Sequence, residues 1–328
     1  MKKAVLFIIF NRLDTTQKVF EQIRLAAPPK LYIASDGARE NIETEKELVE
    51  NTRKWVLANI DWECEIKTLF QEQNYGCALN IPKAINWFLS QEKDGIILED
   101  DCIPSKSFFE YCELALDKYA DNPDIWCIVG CNTIPETIED DNTYAYPVKC
   151  MNCWGWATWA DRWKYFNPDL KNFDYNHICR AFNKISYKLY WLRILYRYNK
   201  TNLNSWAYPW ALNIIQHKAF SLVSPKNLIS NIGFDGAHYK QKNKKSKILL
   251  RLKNNELDEI NLPDAIEYNN KYDNLMFKHF YRINSFMVKF ILRWLSELIT
   301  FNFNGESCTV LKQVFSTGKG KINADNSG

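Results

Sequence analysis

Glu99, Asp100 and Asp101 stand side by side, directly after the apolar run Ile96-Ile97-Leu98 and shortly before Pro104. That run is too short and too β-branched for a helix, so the spacing predicts a buried strand with the carboxylates where the chain leaves the sheet. In open α/β sheets this edge is where ligands bind. Three adjacent carboxylates repel one another, and the arrangement is costly unless a cation or a row of donors neutralises it. A divalent metal answers that need, against the plainer reading of a solvated acidic turn ahead of Pro104. For a nucleoside diphosphate arriving with Mg²⁺ or Mn²⁺, one or two carboxylates suffice, because phosphates and water complete the shell. Asp101, last in the triplet, is the first choice of ligand, with Glu99 and Asp100 left to orient ribose hydroxyls or metal-bound water.

The elements that must position these groups read as alternating strand and helix. Val5 to Phe10 is a first strand, Thr15 to Leu25 a helix after an N-cap candidate at Asp14, and Leu31 to Ala34 a second strand turning out through Ser35-Asp36-Gly37. Further strands are expected at Glu65 to Phe70 and Ile125 to Gly130, with helices at Glu43 to Asn59, Ile81 to Gln91 and Ser105 to Tyr119. This order predicts an α/β fold with a mixed, mostly parallel sheet flanked by helices. The first turn, Phe10-Asn11-Arg12, has no glycine-rich loop, which argues against a nicotinamide cofactor or a P-loop nucleotide. Past Pro135 come a tryptophan-rich loop, Trp154-Gly155-Trp156-Ala-Thr-Trp159, an aromatic and basic helix over 181–200, and the run Ser205-Trp206-Ala207-Tyr-Pro-Trp210.

Composition narrows the class. With 42 Lys and Arg against 39 Asp and Glu the net charge is only +3, so no nucleic-acid partner is implied for the whole molecule. Twelve Trp and 17 Tyr suit stacking on sugars or bases, or a place at a membrane interface. Ten cysteines lack zinc-type spacing, and the lone CxxC at Cys150 and Cys153 has no second pair. Reduced thiols in a cytosolic protein are the expectation. The apolar N-terminus lacks a small-residue cleavage site and reads as a strand rather than a signal peptide, and no segment reaches the ~20 apolar residues of a membrane span.

Taken in order, Asn11-Arg12, Ser35-Asp36-Gly37, Asn74-Tyr-Gly-Cys77, Ile97 to Pro104, Trp154 to Trp159, Trp206 to Trp210 and Pro225 to Gly233 resemble bacterial GT-A-fold nucleotide-sugar glycosyltransferases. More distantly, the pattern is similar to the inverting N-acetylglucosaminyltransferases of animal Golgi. The resemblance covers roughly residues 4 to 240 and implies a Rossmann-related GT-A-like fold. It implies that Phe10, Asn11 and Arg12 lie by the nucleotide, with Arg12 near the phosphates, and that Asp36 accepts the uracil imide. Glu99-Asp100-Asp101 then corresponds to the acidic metal motif, with His238 joining Asp101 at the metal or diphosphate. Trp154, Gly155, Trp156 and Trp206 would shape the donor and acceptor pocket. The activity implied is inverting, metal-dependent transfer of a hexose or N-acetylhexosamine from a UDP-sugar to a glycan or polyprenyl-diphosphate-linked acceptor, in surface polysaccharide or glycolipid assembly.

One position departs from the pattern. Relatives carry an aspartate general base where this chain has Ala207. Three readings follow: a base-to-alanine change that stalls turnover, another base elsewhere, or a non-catalytic carbohydrate-binding or scaffold relative. A nucleotidyltransferase is the other enzymatic alternative, opposed by the absence of a glycine-rich phosphate loop. The expected domains are a catalytic part over 1–240 divided near 130, a basic amphipathic helical extension over 241–315, and a disordered tail over 316–328. In the extension, Lys289 and Arg293 line one stripe while Phe286, Phe290, Ile291 and Trp294 line the other. That face packs internally or meets an anionic membrane, giving a cytoplasmic protein or one peripheral on the inner leaflet.

Overall fold

The structure, a computed structural model, describes residues 1–134, 143–201, 203–233, 252–281 and 283. It divides into two compact units, Met1–Asp169 with Asn204–Phe280, and Leu170–Leu203 with Tyr281–Gly328. Residues 252–280, placed by the sequence in a helical extension, therefore belong to the first unit. His238, the lysine run 240–247 and the amphipathic stretch beyond Ile283 lie outside the described residues.

In the first unit, β1 (Val5–Ile9), β2 (Lys30–Ser35), β3 (Glu65–Phe70) and β4 (Asp94–Glu99) are joined by α1 (Leu13–Ala26), α2 (Glu45–Ala58) and α3 (Cys77–Leu89). Strands β1 and β4 are buried almost throughout, which is why they read as continuous apolar runs rather than alternating ones. Beyond them come β5 (Cys102–Pro104), α4 (Lys106–Lys118), β6 (Ile125–Val129), β7 (Tyr146–Val148), β8 (Trp156–Trp159) and α5 (Ala160–Trp163). The second unit contains α6 (Asn176–Ala181) and α7 (Ile185–Thr201), whose Tyr187, Leu189, Trp191, Leu192, Ile194 and Leu195 are buried. The first unit resumes with α8 (Ala207–Gln216), β9 (Phe220–Val223), β10 (Ile229–Asn231) and α9 (Asn270–His279).

Eight strands form one sheet in the order β3-β2-β1-β4-β8-β6-β9-β7. The first four are mutually parallel, and β8 enters antiparallel between β4 and β6. The fold class is the one expected, an α/β, mostly parallel sheet with flanking helices. Right-handed crossovers put α1 and α2 on one face of β1 to β4 and α3 on the other. Helix α4 packs with α1, and α5 with α3.

Local expectations shift in two places. Asp14 sits in the first turn of α1 rather than capping it; Arg12 holds the N-cap position, and the Thr15 and Thr16 hydroxyls donate to its carbonyl. The tryptophan loop is half strand: Trp156 to Thr158 pair with Gly95 to Ile97, so apolar residues read as a ligand surface are used to extend the sheet.

Candidate active site

Because β1, β2 and β4 run parallel, their C-terminal ends share one edge of the sheet. That edge gathers Phe10-Asn11-Arg12, Asp36 and Glu99-Asp100-Asp101. The order of connection reverses between β1 and β4, and in open α/β sheets a ligand crevice forms at such a switch point.

The period of two in a strand sorts the carboxylates. Ile97 pairs with Trp156, and Glu99, two residues on, shares their side of the sheet. Asp100 turns the other way, toward α1. There Arg12 Nη2 bonds Asp100 Oδ1 and reaches Asp101 Oδ2 at 3.1 Å, while the Phe10 backbone N–H donates to Asp100 Oδ2 at 3.2 Å. Burial opposes the charge on Arg12, but Asp100 and Asp101 more than restore it. Burial also drives Glu99 and Asp100 above the ordinary carboxylate range; the neighbouring carboxylates add to both shifts, and Arg12 opposes them.

Asp101 is clasped from a distant segment. Asn231 pairs with Cys102 in the small β10–β5 sheet, its Nδ2 lies 3.4 Å from Asp101 Oδ1, and the Ile232 N–H donates to the Asp101 carbonyl at 2.8 Å. Gly233 passes so close that a Cβ there would stand 1.9 Å from Asp101 Oδ2. A side chain at that point would force the Asp101 carboxylate or the local backbone to shift.

Among the described residues no three His, Cys, Asp or Glu side chains converge as a ready metal cage. The strand alternation explains this, since Glu99 and Asp100 lie on opposite faces. The donor set still fits a hard divalent cation: two carboxylates, Asp100 and Asp101, face one guanidinium, and Asp101 offers an oxygen at the crevice that phosphate and water ligands would supplement.

Asp36 is buried, and its carboxylate accepts the N–H groups of Gly37 and Tyr75 on Oδ1 and of Gly76 on Oδ2, at 2.8–3.1 Å. One lone pair on Oδ2 is left. Burial raises its pKa while these N–H groups and Arg53 pull it back. Arg53 crosses the same loops, bonding Ser35 Oγ and the carbonyls of Asp36 and Gln71.

Asn11 donates from Nδ2 to Glu45 at 2.8 Å, and Arg39, which also pairs with Glu45, lies 5.9 Å above the Phe10 ring. Glu45, Arg39 and Arg53 belong to no motif read from the sequence, and Asn231 and Gly233 enter there only within the Pro225 to Gly233 run, with no role assigned. Glu45 looks like an ordinary first-turn helix acid, and nothing local shows that it is buried against the β1 turn. Beside this cluster, Arg39, Glu40, Asn41, Gln73 and Asn74 line a pocket of about 420 Å³.

The tryptophans divide differently from expectation. Trp156 and Trp206 are fully or nearly fully buried and stack on each other at 5.5 Å, with Trp163 and Trp210 completing an aromatic core. Neither has a ring face open to a sugar. Gly155, at φ +62, makes its close approach to Ile229, where a Cβ would stand 2.2 Å from Cδ1. That approach is one of packing against Ile229 and Phe108. Trp154 is the half-buried member. Ala207, also half-buried, opens α8 next to Trp206, on the sheet face that Glu99 shares.

No protein-family model matches the chain, and no curated protein matches it either. Among solved structures, the chain is similar to the glycosyltransferase GlyE of Streptococcus pneumoniae TIGR4 in its apo form, at 10% identity and TM-score 0.37 over 91% of this chain and 64% of that one. Mouse xyloside xylosyltransferase 1 matches at 12% identity and TM-score 0.33 over 68% and 85%. UDP-glucose pyrophosphorylase complexed with UDP-glucose matches at 13% and 0.32 over 52% and 83%. Likenesses of this size carry no argument about activity, so the functional reading rests on the residues.

Proposed function

We propose that the chain is a nucleotide-sugar-dependent glycosyltransferase that takes a UDP-sugar at the β1–β4 crevice. The observation that carries this reading is the meeting of Arg12, Asp100 and Asp101 at the switch point of a Rossmann-ordered sheet. A Mg²⁺ or Mn²⁺ ion held there would supply Lewis-acid stabilisation of the leaving diphosphate. Asp101 would hold it, Asp100, itself held by the Phe10 N–H, would fix Arg12 beside the diphosphate, and the Asp36 and Arg53 web would keep the loops after β2 and β3 in place for the nucleoside. His238 is retained as a second metal candidate from sequence.

For inverting attack on a glycan or lipid-linked acceptor, a base is needed near the N-terminus of α8. Ala207 has no proton-accepting group, and this is the observation that favours the second reading, a non-catalytic carbohydrate-binding relative. Position 207 is the first residue of its helix, so an aspartate there would be accommodated and favoured by the helix dipole. Calorimetry with UDP and Mn²⁺ tests the binding half; absence of metal-dependent UDP binding removes the proposal. Ala207→Asp, screened against UDP-hexoses and UDP-N-acetylhexosamines, is expected to raise transfer or hydrolysis by about 10²–10⁴-fold. Binding without any such gain supports the non-catalytic reading.

A further inference from the structure

We infer that the free edge of β3 docks a second copy of the chain. Two β3 strands pair antiparallel about a two-fold axis at Ile66, and the two eight-stranded sheets continue into one. Nothing in this pairing depends on what the β1–β4 crevice binds.

β3 ends the sheet on one side, and no strand lies beyond it among the described residues. The opposite end, β7, is covered: the Ala145 N–H donates to the Asn261 carbonyl at 3.0 Å, and α9 packs against β7. Along β3 the Glu65 N–H donates to the Pro29 carbonyl and the Gln71 N–H to the Ser35 carbonyl, both at 2.9 Å, with no shift of register between them. Alternate residues therefore bond inward, and Ile66, Thr68 and Phe70 turn their N–H and C=O groups out of the sheet. Such a row is a template for another strand unless proline, a bulge or an outward charge blunts it. β3 has no proline or bulge, and its lysine, Lys67, folds back over β2, with Nζ 3.3 Å from Tyr32 Oη. Ile66 is left 42% exposed.

Charge selects both the partner and the register. Glu65 and Lys67 share one sheet face, paired at 3.1 Å with side chains still 50% and 35% exposed. Centred on Ile66, an antiparallel copy sets Glu65 opposite Lys67 of the second copy and Lys67 opposite its Glu65, so the four charges alternate in sign around the axis. Ile66 meets Ile66 across the edge and exchanges backbone hydrogen bonds with it, and Thr68 meets the backbone of Cys64 in the same way. Glu65 and Lys67 fall at the sites between those bonds, where opposed side chains stand closest. A shift of the axis to Glu65 or Lys67 opposes like charges, and a shift to Thr68 sets the charges against Gln71 and Leu69. Of these registers, only the one at Ile66 is complementary to itself in charge.

Sedimentation equilibrium of the full chain across the micromolar range tests this. The parent is expected to approach twice the mass of one chain as concentration rises. Glu65→Lys sets like charges across the axis, as does Lys67→Glu, and each should raise the dimer dissociation constant by about tenfold or more. An equimolar mixture of these two variants should dimerise again, because one strand is then all positive and the other all negative. The double variant Glu65→Lys, Lys67→Glu should dimerise like the parent. Ile66→Pro removes an outward N–H but no bond to β2, and should hold the chain monomeric. Circular dichroism shows which variants fold, and any folded one decides. A parent chain that stays monomeric overturns the inference. So does a dimer that survives Ile66→Pro or both single charge reversals, which would place the contact elsewhere, or a mixture that stays as dissociated as its components.

Discussion

Asp36 accepts the backbone N–H of Gly76 at 2.8 Å, forty positions away, and so ties the loop after β2 to the start of α3. The turn that follows β2 and the one that follows β3 are one rigid piece. Asp36→Ala leaves the N–H groups of Tyr75 and Gly76 without their acceptor, while Gly37 keeps its bond to the Gln73 carbonyl, which is expected to cost about 1–3 kcal/mol, since unpaired donors shielded from water are expensive. Urea unfolding measures that loss, and UDP calorimetry on the folded fraction should show weakened nucleotide binding. Undiminished stability would mean that these bonds are replaceable by water.

Gly233→Ala places a methyl group on Asp101 Oδ2. Either the Asp101 carboxylate or the 231–233 strand end must shift, at about 1–3 kcal/mol. Metal-supported UDP binding should fall by at least about tenfold, a loss that corresponds to 1.4 kcal/mol. Retention of full affinity would show that Asp101 does not need the position seen here.

Trp206→Ala distinguishes a core residue from a ligand platform. With Trp206 nearly buried and stacked on Trp156, truncation should cost about 3–5 kcal/mol, the usual range for a large aromatic in a core. The denaturation midpoint should drop accordingly. A change confined to substrate affinity, with stability intact, would return Trp206 to the binding pocket.

Asp273, in α9, offers a pH test away from the crevice. It is buried, accepts from Tyr268 Oη at 2.6 Å and the Lys149 N–H at 3.2 Å, and burial pushes its carboxyl up to about 6 from an ordinary 3.8. The folded state therefore keeps this proton over a range where the unfolded chain has lost it. Stability should fall as pH rises from about 4 to about 6 and then level off, by on the order of 2 kcal/mol from this group. In Asp273→Asn that slope should flatten, as followed by chemical denaturation across the window. A parallel slope in both proteins would assign the pH dependence to other groups.

The apolar runs at β1, β2, β4 and β6 and the helical spacing between them were enough to determine an α/β fold with a mostly parallel sheet. They also determined that Arg12, Asp36 and the carboxylate triplet follow strands, because burial on both faces leaves a long local signature and the polar residues mark where it stops. What the triplet does depended on tertiary structure. Adjacent in sequence, Glu99 and Asp100 are divided by the strand's alternation, so only Asp100 and Asp101 meet Arg12. The groups that meet them come from positions 12, 231 and 233, and no local pattern announces such contacts. The tryptophans illustrate the same limit: an aromatic cluster around Gly155 is compatible with a sugar platform or a core. Pairing of β8 with β4 decided for the core at Trp156, because a ring turned inward beside Ile97 is packed by other tryptophans before a ligand can reach it.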